Sequence, residues 1–443
     1  MHPSSVSVFD PLPYRARRER IAARVDDGAL LLHAGSLRTR SNDTEYRFRP
    51  DSDFHYLTGL AEPEAILLLR PGRDPACTLF VLPREPEAER WTGRRVGPEG
   101  AAEIYGADAA YPLAALDEQL PRLLDGVVAL FTPFTRPPAL EGALTRALAH
   151  LRRYNRQGKH APITFHDARH LLGEDRIVKD AAALASLRRA IDASAEGHLS
   201  AMRATTPGMF EYELEARVEY EFRRRGSLPG YTTIVGAGAN ATILHYVENN
   251  APLVAGELVL IDAGAERDNF TGDITRTFPV DGRFTSAQRD LYEIVLAANR
   301  AGIDEAAPGG SIDVIHEVCV RALAEGMRAL KLCEGSVDEI VETGAYQRYY
   351  MHRTSHWLGA DVHDAGLYCV SDHPRPLLPG FVFTIEPGLY IDADDEKAPA
   401  ALRGHGVRIE DDILITEDGH EVLTAMVPKD IAALEAIVGL DHR

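Results

Sequence analysis

The sequence predicts two domains in series: an α/β domain, then an α+β domain built on antiparallel hairpins. Three observations predict it. Up to about residue 152, short apolar strands alternate with helical stretches. Residues 154–180 are polar and mixed. Beyond them, long helices are followed by strand-like segments that do not form a regular βαβ series. A chain of 443 residues is long enough for two or three domains. We place the boundary so that 1–175 forms the first domain and 176–443 the second.

The elements follow in order. YRARRERIAARV (14–25) reads as a helix, and ALLLHAG (29–35), EAILLLR (64–70) and CTLFVLP (77–83) as short strands. Helical stretches follow around 99–105, 113–124 and 138–152, with VVALFT (127–132) between them as a strand. From 180, apolar residues at Leu184, Leu187, Ile191, Ala195 and Leu199 recur at helical spacing until TTPG (205–208) stops them. A second helix runs from Phe210 to Arg225 and ends at Gly226. TTIVGAG, LVLIDAGA, TRTFPV, FVFTIEPGLYI and GVRIEDDILIT read as strands, with two more helices near 285–306 and 311–332.

Composition narrows the function. The chain is 45% hydrophobic and 26% charged, as a globular protein is, with a formal net charge of −19. A field of that sign repels nucleic acid and anionic lipid. No run approaches 18 apolar residues, so no membrane span is expected, and the N-terminus shows no apolar signal core. Cys77, Cys319, Cys333 and Cys369 have neither C-x-x-C spacing nor a disulfide framework, which fits a reducing, cytoplasmic setting. GAGAN (236–240) lacks the third glycine of a dinucleotide loop, and P-loop, H-E-x-x-H and G-x-S-x-G motifs are absent.

Several polar residues stand where chains of this kind seldom put them. LVLIDAGA ends an apolar strand on Asp262, and Asp273 opens the next strand after the turn-rich GAERDNFTG. A hairpin here brings two carboxylates side by side, which is costly unless a cation or a proton lies between them. Glu386 and Glu410 each fall in an apolar strand, where a glutamate rarely sits without a partner; for Glu410 the ordinary partner is Arg408. His352, His356 and His363 fall within MHRTSHWLGADVHD, and His245 follows another strand. Four carboxylates and one imidazole are the right number and kind for two divalent ions, and oxygen-rich donors favour manganese, magnesium or iron over a thiolate zinc site. Two such ions hold a hydroxide at neutral pH and polarise a carbonyl, with nearby histidines steadying the intermediate.

In chain order, Asp262, Asp273, His356, Glu386 and Glu410, in the contexts IDAGAE, GDITRTF, SHWLG, TIEPGLY and RIEDD, resemble the ligand set of the pita-bread metallopeptidases. That family includes methionine aminopeptidase, prolidase and aminopeptidase P. RSNDTEYRFRPDSDFHYLTGLAEPEAILLL and RWTGRRVGPEG resemble the N-terminal domain of bacterial aminopeptidase P. With HWLGADVHD and RGHGVRIEDDILIT, the likeness runs from about residue 12 to 438.

The resemblance implies a pita-bread (creatinase/methionine aminopeptidase-like) catalytic domain and two divalent ions, manganese first among them. It implies that Asp262 chelates one ion, that Asp273 and Glu410 bridge, and that His356 and Glu386 hold the second. The nucleophile is then a bridging hydroxide whose proton Glu386 takes and passes to the leaving nitrogen. His245 and His363 contact the substrate carbonyl and the scissile imide, and His352 lines the proline side. Arg408 and Tyr390 order the surroundings. Tyr231 and Trp91 sit at the pocket mouth, Trp91 by way of a neighbouring subunit.

The implied substrate is a peptide with proline in second position, and the implied assembly a homodimer or homotetramer formed through the N-terminal domain. Prolidase, which cleaves dipeptides, and a non-catalytic binding protein of the same fold are the alternatives. One departure from the family pattern is visible: Arg353 and Thr354 stand where small or apolar residues are common.

Overall fold

The computed structural model describes residues 9–442; the reading of a leaderless N-terminus bears partly on residues 1–8 and lies outside them. The chain divides into two compact units between Asp175 and Arg176.

The first unit is a six-stranded sheet in the order Ala109–Pro112, Cys77–Val81, Ile66–Leu69, Ala29–His33, Ala129–Thr132, Thr164–Asp167. Ile66–Leu69 runs antiparallel to both neighbours and the remaining pairs are parallel. ALLLH reads as an unbroken apolar run because both faces of its strand are covered. Leu30 and Leu32 pack into one apolar cluster with Leu67 and Leu79, and Leu31 into another with Leu68 and Phe80. The helices Leu12–Val25, Leu116–Leu124 and Pro138–Arg153 stand where the periodicity put them. The polar stretch read as a boundary is not loose. It contains the edge strand Thr164–Asp167 and the helix Ala168–Arg176. The strand reads as polar because three of its four residues are exposed.

In the second unit every strand pair is antiparallel. Its longest helix, Ala181–Ala204, starts where the Asp180 carboxylate accepts the Ala183 N–H at 2.8 Å. It buries Leu187 and Ile191, and is joined by the helices Glu211–Arg224, Ser286–Asp304 and Ile312–Ala329. Leu258–Asp262 is the centre of a three-stranded sheet between Ile234–Ala237 and Thr275–Pro279.

Two of the expected long strands are each broken in two. Val382–Ile385 pairs with Asp411–Ile415, and Gly388–Ile391 pairs with His405–Arg408. Glu386 and Glu410 lie in the breaks, not inside strands as the sequence suggested. Pro387 has no N–H to give to a ladder, and the pairing resumes after it. Both glutamates are therefore set at one kink shared by two paired strands.

Candidate metal centre and active site

The carboxylates converge because the backbone leaves them no room to part. Asp262 ends its strand opposite Thr275, so Asp273, two residues before the returning strand Thr275–Pro279, lies beside it. The chain between them folds back so tightly that a Cβ on Gly264 would lie 1.8 Å from the Gly272 carbonyl oxygen. Glu410 is tied to the same strand: its N–H donates to the Thr275 carbonyl at 3.1 Å, and its Oε2 accepts the Thr275 hydroxyl at 2.5 Å. Glu386 donates its N–H to the Thr354 carbonyl at 2.8 Å, which joins it to the histidine segment. His356 is joined to the same strand by the Thr384 N–H donated to its carbonyl at 3.0 Å.

Ligand atoms of Asp273, His356 and Glu410 all lie within 4.8 Å of one another. His356 Nε2 stands 3.4 Å from Asp273 Oδ2 and 3.6 Å from Glu386 Oε1. Its Nδ1 lies 3.1 Å from the Trp357 carbonyl, which can only accept, so Nδ1 carries a proton. In the neutral ring, Nε2 then presents a lone pair towards carboxylate oxygens, an arrangement that requires a proton or a metal ion between them. Asp262 stands to one side, its Oδ2 accepting from Arg408 Nη2 at 2.6 Å and its Oδ1 from the Tyr231 hydroxyl at 2.7 Å.

The electrostatics point the same way. Burial, with Asp262 and Asp273 nearby, pushes Glu386 up to about 8 against the pull of His356 and Arg408. Burial and neighbouring carboxylates raise Glu410 well above the usual range, and burial raises Asp273. Burial opposes a charge on His356, yet Asp273 and Glu386 outweigh it and lift the imidazole to about 9. Carboxylates crowded together in this way resist carrying their charges without cations among them. The donors are one imidazole and carboxylate oxygens, and they fit such ions.

The cluster forms the floor of a cavity of about 900 Å³. His245, His352 and His363 all line it, with Ile234, Leu244, Val247, Ile312 and Val362 as apolar wall. The His363 ring meets His356 edge to face at 4.5 Å. Burial lowers the His363 pKa, helped by His356 and then His245. His352 has both nitrogens engaged: Nδ1–H donates to the Arg353 carbonyl at 2.8 Å, and Nε2 accepts the Tyr390 hydroxyl at 2.8 Å. Tyr390 in turn accepts from Arg408 Nη1 at 3.0 Å. Burial, then Arg408, pushes His352 down to about 4.

One expected position differs. Tyr231 is not a mouth residue; its hydroxyl reaches both Asp262 and Asp273 on the floor, because Gly230 donates its N–H to the Gly264 carbonyl and pins the ring there. Trp91 lies in the first unit and is 91% exposed. Arg408 pairs with Asp262, not with Glu410.

Sequence reasoning passed over Thr275, which binds Glu410 and accepts from Arg408 Nε at 3.1 Å. It also passed over Asp412, whose Oδ2 accepts the Asp273 N–H at 3.1 Å. A threonine in TRTF carries no chemical signal. The doubled acid in EDD is a usable one, since Asp412 is fully buried.

Comparison with known proteins identifies the family. The sequence profile of Metallopeptidase family M24 matches residues 185–417, and that of the Aminopeptidase P N-terminal domain matches residues 14–131. Xaa-Pro aminopeptidase of Escherichia coli is 43% identical over 96% of this chain and 97% of its own. Pseudomonas aeruginosa aminopeptidase PepP superposes with a TM-score of 0.95 at 44% identity, over 97% of this chain and 98% of that one. A variant of E. coli aminopeptidase P solved in complex with substrate gives 0.94 at 42% identity, over 97% and 98%. The second unit is thus a pita-bread catalytic domain, and the chain belongs to the aminopeptidase P group of metallopeptidase family M24.

Proposed function

We propose that this chain is a metal-dependent aminopeptidase that releases the N-terminal residue of peptides with proline in second position. The observation that carries the reading is the Asp273, His356 and Glu410 cluster, with Glu386 3.6 Å from His356, on the floor of an apolar-walled cavity. Asp262, Asp273, His356, Glu386 and Glu410 would hold two divalent ions, manganese in our reading. Bound there, they acidify water and polarise the scissile carbonyl.

The protein's own groups do the rest. Glu386 takes a proton from the attacking water and returns it to the proline nitrogen. The water oxygen bonds to the carbonyl carbon, the C–N bond breaks, and its electron pair leaves on nitrogen. His245 and His363, exposed to the cavity, donate to the carbonyl oxygen and steady the imide. His352 has no ring nitrogen left for substrate and presents only its ring, which suits a prolyl ring without an N–H. Tyr231, Tyr390 and Arg408 hold the carboxylates and His352 in place.

Four free thiols favour a reducing compartment, which we take to be the cytoplasm. Among the described residues no helix is long and apolar enough to cross a membrane. We infer that the exposed Trp91 serves a second copy in a homodimer or homotetramer formed through the N-terminal unit.

The test is hydrolysis of Arg-Pro-Pro and Ala-Pro by metal-stripped protein, with and without manganese. Manganese-dependent cleavage that is faster on the tripeptide supports the reading. Cleavage of the dipeptide alone makes the chain a prolidase. Cleavage of neither, with metal bound, removes the proposed substrate.

A further inference from the structure

Two guanidinium groups line the cavity. Arg408 is buried and bonded to Asp262, Tyr390 and Thr275. Arg353 has no part in the chemistry above. Its side chain is 59% exposed and forms one ion pair, through Nη2, with Asp313 on the same cavity wall. The other N–H groups of its fork have no hydrogen-bond partner among the described residues.

The backbone at Arg353 is tied down while its side chain is exposed. The Arg353 carbonyl accepts from His352 Nδ1 at 2.8 Å, and His352 Nδ1 lies 3.6 Å from Glu386 Oε2. On the other side, Thr354 is fully buried, its hydroxyl 2.7 Å from both the Tyr350 hydroxyl and His316 Nδ1. The Thr354 carbonyl takes the Glu386 N–H. The base of Arg353 is therefore fixed one residue from His352, with a long cationic arm reaching along the wall.

In the aminopeptidase reading the scissile carbonyl lies over the floor of Asp262, Asp273, Glu386 and Glu410, and the residues that follow it run up the wall past His352. An extended tripeptide spans at most about 10 Å, so its terminal carboxylate falls within reach of a wall residue beside His352. A guanidinium fork binds a carboxylate through two parallel hydrogen bonds. Asp313 occupies part of that fork and repels a second carboxylate.

We propose that Arg353 binds the C-terminal carboxylate of short peptides, so that free-acid tripeptides are preferred over blocked or longer ones, with Asp313 limiting the affinity. This deepens the aminopeptidase reading and rests on it. The experiment compares kcat/KM for Arg-Pro-Pro and for its C-terminal amide, using the full-length, manganese-loaded enzyme. Wild type should favour the free acid by roughly fivefold or more, the size of a partly exposed charge-assisted bond.

Arg353→Gln should bring the acid-to-amide ratio near one, chiefly by raising KM for the acid. Arg353→Lys should recover part of the ratio, and Asp313→Asn should increase it. General damage to the fold lowers both substrates together and leaves the ratio unmoved. Hydrolysis by Arg353→Gln with the wild-type ratio overturns the proposal alone. If wild type cleaves neither peptide, the aminopeptidase reading falls and the proposal with it.

Discussion

Arg408 and Asp262 are joined at 2.6 Å under the cavity floor, and the same guanidinium reaches Tyr390 at 3.0 Å and Thr275 at 3.1 Å. One buried cation thus holds an outer carboxylate, the partner of His352 and the partner of Glu410 in a single arrangement. Arg408→Ala leaves that carboxylate without its counter-charge and Tyr390 without its donor. Metal affinity or turnover should fall by about 10- to 100-fold, as for other groups that orient ligands. Manganese titration beside kcat at saturating metal measures this.

His363 should separate binding from chemistry. It meets His356 ring to ring but lies outside the Asp273, His356 and Glu410 cluster. His363→Ala should retain its metal content and lose about 10²- to 10³-fold in kcat. Metal analysis and steady-state kinetics on one preparation check both halves.

The loop that carries His363 is anchored from below. Asp364, its side chain 1% exposed, accepts from Arg176 and, at 2.9 Å, from Lys179. Asp364→Asn removes the carboxylate shared by two buried cations, of which Arg176 retains Asp361 at 2.7 Å, and should cost about 3–5 kcal/mol of stability. Urea unfolding followed by circular dichroism reads the loss.

His198 gives the fold an acid sensitivity. Its ring is fully buried and its Nε2–H donates to the Ala263 carbonyl at 3.0 Å. Burial pushes it from 6.5 down to about 4. Between those values the unfolded chain takes up a proton at this position and the folded chain does not. Its contribution is complete above pH 6.5 and declines as pH falls towards 4, by about 1.4 kcal/mol per unit. His198→Gln, which retains a donor for Ala263, should flatten the dependence of unfolding free energy on pH in that window.

Much of this was legible in the sequence because apolar strands ending in acids are conspicuous. LVLIDAGA displayed Asp262, and three histidines in MHRTSHWLGADVHD displayed the cavity wall. What was not legible depends on pairing between distant segments. Only the register that sets Gly388 against Arg408 and Ile385 against Asp411 shows that Glu386 and Glu410 share a kink. Tyr231 gives no local sign that it meets two aspartates, because Asp262 and Asp273 come to it through other strands. Arg176 and Lys179 fall in the polar stretch 154–180 and carry no local sign of burial; they are buried because Asp364 lies between them.

The most direct test of the account is turnover of Arg-Pro-Pro by Glu386→Ala, with metal content and thermal midpoint measured on the same sample. We predict near-complete loss of turnover and weakened metal uptake, with the fold intact. Full activity in that variant would contradict the account.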